Sequence, residues 1–243
     1  DHSFGRLHSL YLFGSVPRGK ARSGLSDIDV LGVTKGKAEW VINKWTNLGK
    51  WKEPEGKRIL ETYPIISNVV FDFEPLSFVM ERKHFSWSAF LLSIGGVCIY
   101  GNDLIPELPR FKPDEVVSNS ELVQLDDNVQ EAIREIRKAI SNERVTYWCR
   151  RIMKNLLRDG FFLHMSEDNL FTPDVDFCYV QFSKHYPGKS DLMKKALDYS
   201  KNPTADKSEI IEFLSIFGRW LTGETDKWLN KNNPSRLRQL PLK

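Results

Sequence analysis

Cysteine is scarce in this chain. Cys98, Cys149 and Cys178 stand far apart, their number is odd, and no pair has C-x-x-C spacing. That disfavours a disulfide framework and makes a reducing, cytoplasmic setting the expectation. An excess of one charge is also lacking: 35 Lys and Arg face 32 Asp and Glu, a formal net charge of +3. A dedicated nucleic-acid binder shows a stronger basic bias, so nucleic acid is not the expected partner. The five histidines are scattered and outline no metal cluster. No apolar run approaches the roughly 18–20 residues of a membrane span, and no signal peptide is visible, so no membrane partner is expected. The chain opens on Asp rather than Met, which leaves room for a preceding segment.

What is present is core-forming material. Of 243 residues, 41% are hydrophobic, with fifteen Phe and seven Trp, enough for one large or two small folded domains. LHSLYLF at 7–13 reads as a buried strand entering a turn at Gly14, and DIDVLGVT at 27–34 as a second strand. AEWVINKWTNL at 38–48 has helical apolar spacing, at 38, 41, 42, 45 and 48. PIISNVVFDFE at 64–74 is a β-branched and aromatic strand, FSWSAFLLSIGG at 85–96 a short buried helix, and VCIYGND at 97–103 an extended exit. Pro106, Pro109 and Pro113 then break the chain. Beyond them strand signals fade, and 121–141, 144–165, 174–186, 190–200 and 207–230 read as helices. The organisation is α+β: an α/β half over 1–105 and an all-α bundle over 115–243.

The chemistry concentrates in YLFGSVPRGKARSGLSDIDV, residues 11–30. Side chains alternate along a strand, so Asp27 and Asp29 share one face while Ile28 and Val30 take the other and can anchor in the core. Two carboxylates side by side repel unless a cation lies between them. A hard divalent ion such as Mg²⁺, which shares its coordination sphere with substrate phosphates, answers that need. Gly14 permits close approach of a ligand to the backbone. Ser15, read as a strand-to-helix junction, offers a hydroxyl and an N–H at a helix start that favours anions. Arg18, Lys20 and Arg22 add positive charge. A lone Gly-Ser, a lone Asp-x-Asp or a lone basic loop is ordinary surface. Their ordered combination, with eleven residues between Ser15 and Asp27, is not.

FGSVPRGKARSGLSDIDVLGV resembles the signature of the polymerase-β-like nucleotidyltransferase superfamily: an apolar residue, Gly-Ser, a short spacer, then Asp-apolar-Asp. The SDIDVL wording and the Arg-Gly step are similar to the bacterial aminoglycoside and lincosamide adenylyltransferases and the minimal nucleotidyltransferases. CIYGNDL is similar to their exit from the catalytic domain, and the helical half resembles their C-terminal domains. The family's usual helix before the first strand has few residues to form from here. The resemblance implies a short mixed sheet flanked by helices and a Mg²⁺-dependent transfer of a nucleoside monophosphate. ATP is the expected donor, and the hydroxyl of a small molecule the expected acceptor, an antibiotic among the candidates and a protein acceptor left open.

The site set expected from motif and resemblance is Asp27, Asp29 and Asp72 as catalytic and metal-binding acids, with Gly14, Ser15, Arg18, Lys20 and Ser26 around the nucleotide. Asp72 enters because VFDF is similar to the family's third, apolar-Asp-apolar motif. Phe71 and Phe73 are read as the core side of that strand. Glu74 keeps the same phase and is the alternative third carboxylate. Asp72 is expected within about 6 Å of the other two acids, close enough for bridging ions. Glu131 and Glu135 are candidate bases, beside the plainer reading of a solvated helix face. Arg158 and His164 offer a rival, an R-x5-H pair resembling helical ribonuclease toxins. A nucleotide-binding module without turnover is another.

Overall fold

The computed structural model describes residues 7–21, 23, 26–36, 57–63, 65–66 and 68–242. The helix expected at 38–48 and Arg22 lie outside them. The chain divides into two compact units, Asp1–Phe111 and Lys112–Lys243.

The first unit is a four-stranded mixed sheet with short helices. Its strands are β1 (Leu7–Phe13), β2 (Ile28–Thr34), β3 (Val69–Pro75) and β4 (Val97–Gly101), in the order β3-β2-β1-β4. β2 runs antiparallel to β1 and parallel to β3, while β4 pairs antiparallel with β1. The helices are α1 (57–62), α2 (Leu76–Val79) and α3 (Trp87–Gly95). Ser86 caps α3 by accepting from the Ala89 N–H at 3.3 Å, meeting one of the donors that a helix start leaves unpaired.

Tyr11, Leu31 and Val33 form the sheet's contribution to a core completed by Val79, Ala89, Leu92, Leu104 and Leu108. Tyr11 is fully buried, and its hydroxyl accepts from Leu104 N at 2.7 Å and donates to Asn102 O at 3.3 Å. One side chain thus ties the chain's exit to the middle of the sheet. The unit continues past residue 105 because Leu108 and Phe111 still pack on it. The Phe111 ring stands edge-on to Phe85 and Phe90, with centroids at 5.3 and 5.8 Å.

The second unit is all helical among its described residues. It comprises α4 (Glu115–Leu122), α5 (Leu125–Lys138), α6 (Asn142–Phe162), α7 (Met165–Asp168), α8 (Val175–His185), α9 (Ser190–Lys201), α10 (Lys207–Phe213) and α11 (Arg219–Asn232). α6 is the central element. Its buried stripe Val145, Cys149, Ile152, Met153, Leu156, Leu157 packs against α5, α8 and α9. Asp114, Ser141, Asp174 and Asp206 cap four helix starts with side-chain acceptors. The last long helix differs from the sequence reading. A π-helical stretch, Leu214–Gly218, separates α10 from α11. The wider turn lets Leu214, Phe217, Gly218 and Leu221 all lie buried along one continuous rod. Among the described residues no helix is long and apolar enough to cross a membrane.

Candidate active site

Asp27 and Asp29 sit where β2 begins. Burial along β2 changes there: Ile28 and Asp29 are half-buried, and every residue from Val30 to Thr34 is buried. Both faces of β2 are therefore covered beyond Asp29, and alternation does not separate a core side from a solvent side. Leu31 and Val33, in phase with the two acids, belong to the core cluster. The acids are accessible because they stand at the strand's end. Val30 is buried as expected, Ile28 is half-buried, and the acids' own face is also core from Leu31 onward.

Gly14 closes β1 with φ +79°, a backbone region that glycine enters without strain. An added Cβ there would stand 2.1 Å from Asp29 Oδ2 and 3.1 Å from Asp29 Cγ. The Asp29 carboxylate is thus laid directly on the Gly14 backbone, next to its cross-strand partner Phe13. Only a residue without a side chain leaves room for this.

The segment after Gly14 is a set of tight turns, not the start of a helix. Gly19 N–H donates to Val16 O at 3.0 Å and Lys20 N–H to Ser15 O at 3.0 Å. Pro17 and a left-handed Gly19 (φ +64°) explain why no helix propagates from Ser15. Ser15 therefore opens a turn and not a helix, contrary to the expectation, and any anion binding here draws on turn N–H groups and cationic side chains. Arg18 stiffens the turn: its Nε donates to Gly14 O at 2.6 Å. Its stem lies against Gly95, where an added Cβ would meet Arg18 Cγ and Cδ at 3.3 and 3.2 Å. Lys20 is exposed, and Ser15 and Ser26 are half-buried.

The parallel register of β2 and β3 pairs Asp29 with Val70, Leu31 with Asp72 and Val33 with Glu74. Registered partners point to the same face, so Asp72 and Glu74 share the face of Asp29. Phe71 and Phe73 take the other face, and Phe73 lies over Gly32, where an added Cβ would meet its ring at 2.5 Å. The core cluster of Leu31 and Val33 thus lies on the acids' side of the sheet, which corrects the expectation that Phe71 and Phe73 mark the core side. Glu74 Oε2 is buried without a hydrogen-bond partner, beside the core residue Val33. Burial pushes its carboxyl above the usual range; the Ser88 hydroxyl opposes that shift, and the neighbouring Asp72 charge adds to it.

Glu135, on α5, is bound in a surface ion pair with Arg144 at 3.1 Å. Arg158 serves the helical bundle: burial raises the pKa of the Glu121 and Asp159 carboxyls, and the Arg158 charge opposes that rise. His164 Nδ1 is engaged by Glu167 at 3.1 Å. Pattern reading along the chain missed that His164, Glu167 and Asp168 at α7 come together with His185 at the end of α8, because the two helices are apart in sequence.

Asp27, Asp29, Asp72 and Glu74 offer oxygen donors only, the ligand type a hard divalent cation takes, and Gly14 leaves the space a side chain would fill; among the described residues, no three of these acids bring ligand atoms within 4.8 Å of one another. No curated protein matches the chain. Residues 3–83 match the model of the nucleotidyltransferase domain family, a span that contains Gly14, Ser15, Asp27, Asp29, Asp72 and Glu74. General nucleotidyl transfer is the chemistry of such a domain. The α+β chain therefore carries, in its mixed-sheet unit, a nucleotidyltransferase domain consistent with the polymerase-β-like superfamily.

Proposed function

We propose that the protein is a Mg²⁺-dependent nucleotidyltransferase that moves AMP from ATP onto a hydroxyl of a small molecule. The observation that carries this reading is the Asp29 carboxylate seated on Gly14, at the mouth of a turn bearing Arg18 and Lys20. Asp27, Asp29 and Asp72 would hold the metal. When bound, it would polarise the α-phosphate and neutralise charge on the attacking and departing oxygens.

The protein's own groups divide the remaining work. The Ser15 hydroxyl and the turn N–H groups orient the β- and γ-phosphates. Arg18, braced through Nε on the Gly14 carbonyl, presents a planar guanidinium suited to phosphate oxygens. Lys20 adds a mobile positive charge that favours departure of pyrophosphate. Ser26 hydrogen-bonds the nucleotide as it enters beside Asp27. The helical unit selects the acceptor.

The test is incubation of the full chain with each of the four nucleoside triphosphates, Mg²⁺ and a panel of hydroxylated acceptors, antibiotics included, while pyrophosphate is followed. A protein-acceptor arm uses labelled ATP. Acceptor-dependent pyrophosphate release with ATP is the expected result. Release with no triphosphate under any acceptor would overturn the reading.

A further inference from the structure

The helical unit holds a second group of potential metal ligands, separate from the carboxylates of the sheet. His164 leads into α7, Glu167 lies on α7, and His185 ends α8. Among the described residues, a ligand atom from each comes within 4.8 Å of the other two. We propose that His164, Glu167 and His185 form a binding site for a transition-metal dication of the Zn²⁺ type.

The donor types select the ion class. Two imidazoles and one carboxylate suit Zn²⁺ and its first-row neighbours, whereas Mg²⁺ prefers oxygen ligands throughout. The spacing is close to what such an ion needs. With metal–ligand bonds of about 2.0–2.1 Å, ligand atoms on a tetrahedral ion stand roughly 3.3 Å apart. His164 Nδ1 and Glu167 Oε2 are already 3.1 Å apart. Closing the group asks for a shift of His185, whose ring is at the helix end and exposed.

One further observation supports the site. Asp168 meets His185 Nε2 at 2.9 and 3.1 Å. That is the outer partner a metal-binding histidine typically has: the N–H at Nε2 is held and the lone pair is left on Nδ1. His164 meets Glu167 through Nδ1, which makes Nδ1 its ligand atom; its Nε2, buried with no hydrogen-bond partner, is not answered by the ion.

The two histidine rings form a stack. The two imidazoles lie face to face, with centroids 3.9 Å apart and 2° between planes, and the Tyr186 ring is 5.2 Å from His164. Lone pairs in parallel planes do not converge on one ion, so metal entry turns His185 out of the stack. The ion would then clamp the α6–α7 turn to the end of α8, with its remaining position open toward the exposed side.

The test uses the full chain carrying Asp29→Asn, which weakens the sheet carboxylates as a competing site. Stripped with chelator, it is titrated with Zn²⁺, with Co²⁺ followed by visible absorption, and with Mg²⁺. The expected result is one Zn²⁺ per chain, visible Co²⁺ bands of a low-coordinate nitrogen–oxygen site, and displaced ring-proton resonances of both histidines. Asp168→Asn should weaken Zn²⁺ about 10–100-fold, as loss of an outer partner does, and Glu167→Gln or His185→Ala should weaken it more. Glu167 is exposed, so its replacement leaves the bundle folded, which circular dichroism checks. No Zn²⁺ uptake, uptake unchanged in Glu167→Gln and His185→Ala, or equal uptake of Mg²⁺ at this site would overturn the proposal.

Discussion

The carboxylate of Asp29 occupies the space where a side chain on Gly14 would be, 2.1 Å from an added Cβ. Gly14 is the first residue after β1 and Asp29 lies in the antiparallel neighbour β2, and their contact fixes the acid at the edge of the turn. Gly14→Ala places a methyl group into that contact at φ +79°. It should cost roughly 1–2 kcal/mol in backbone strain and lower turnover about 100-fold or more by displacing Asp29. Thermal denaturation and pyrophosphate release measure the two effects separately. Unchanged turnover would show that the contact is incidental.

Asp29→Asn should leave the fold intact, because the charge is removed at the end of β2 and its buried run from Val30 to Thr34 is untouched. Turnover should fall about 10²–10³-fold or more, as it does when a group stabilising transition-state charge is lost. In calorimetric titrations of the parent protein, ATP should bind tightly with Mg²⁺ and weakly in EDTA. Equal affinity in both would rule out a metal-bridged triphosphate at this site.

Arg18→Ala removes the Nε bond to Gly14 O and uncovers Gly95. The turn should loosen, and ATP binding should weaken by about 1.5–3 kcal/mol, the range for hydrogen bonds to charged groups. The effect should appear in KM for ATP more than in KM for the acceptor. A change confined to the acceptor would move Arg18 out of the nucleotide site.

Tyr11→Phe leaves the Leu104 N–H without its acceptor in the core of the first unit. A buried donor stripped of its partner costs about 1–3 kcal/mol, which differential scanning calorimetry should register as a lower Tm for that unit. An unaltered Tm would mean that water replaces the hydroxyl.

Asp159 carries a pH dependence. It is buried, its Oδ1 has no partner, and burial with the nearby Glu121 holds its carboxyl well above the ordinary 3.8. The native state therefore keeps a proton that the unfolded chain releases. Its contribution to stability is fully present below about pH 3.8 and is lost as pH rises toward the native value. Asp159→Asn should flatten that part of the stability profile, read from urea midpoints at a series of pH values. A variant with the parent's slope would assign the pH dependence to other groups.

The strands and the turn were legible because their signals are local. LHSLYLF runs into Gly14, which the backbone requires in a left-handed conformation, and Asp29, Asp72 and Glu74 keep a common phase that the β2–β3 register preserves. Which face is core was not legible. A strand buried on both sides, as β2 is from Val30 onward, gives alternation no polar half to reveal. The helix expected after Ser15 failed on two residues, Pro17 and Gly19, whose turn preferences outweighed the pattern. The π-helical stretch at Leu214–Gly218 was hidden because it inserts extra backbone without altering the apolar stripe. His164 and His185 looked scattered because only the packing of α8 beside α6 and α7 stacks their rings.

The short run from Leu104 to Phe111 decides how this protein can be cut. Leu104 and Leu108 are buried in the first unit, and Phe111 lies edge-on to Phe85 and Phe90. A fragment stopped at residue 105 would lose that cover and present bare aromatic rings to water, inviting aggregation. One stopped at Phe111 keeps it, and leaves the other piece to begin just ahead of Asp114, the residue that caps α4. Expression of the two halves as separate, soluble polypeptides thus turns on six residues that no strand or α-helix claims.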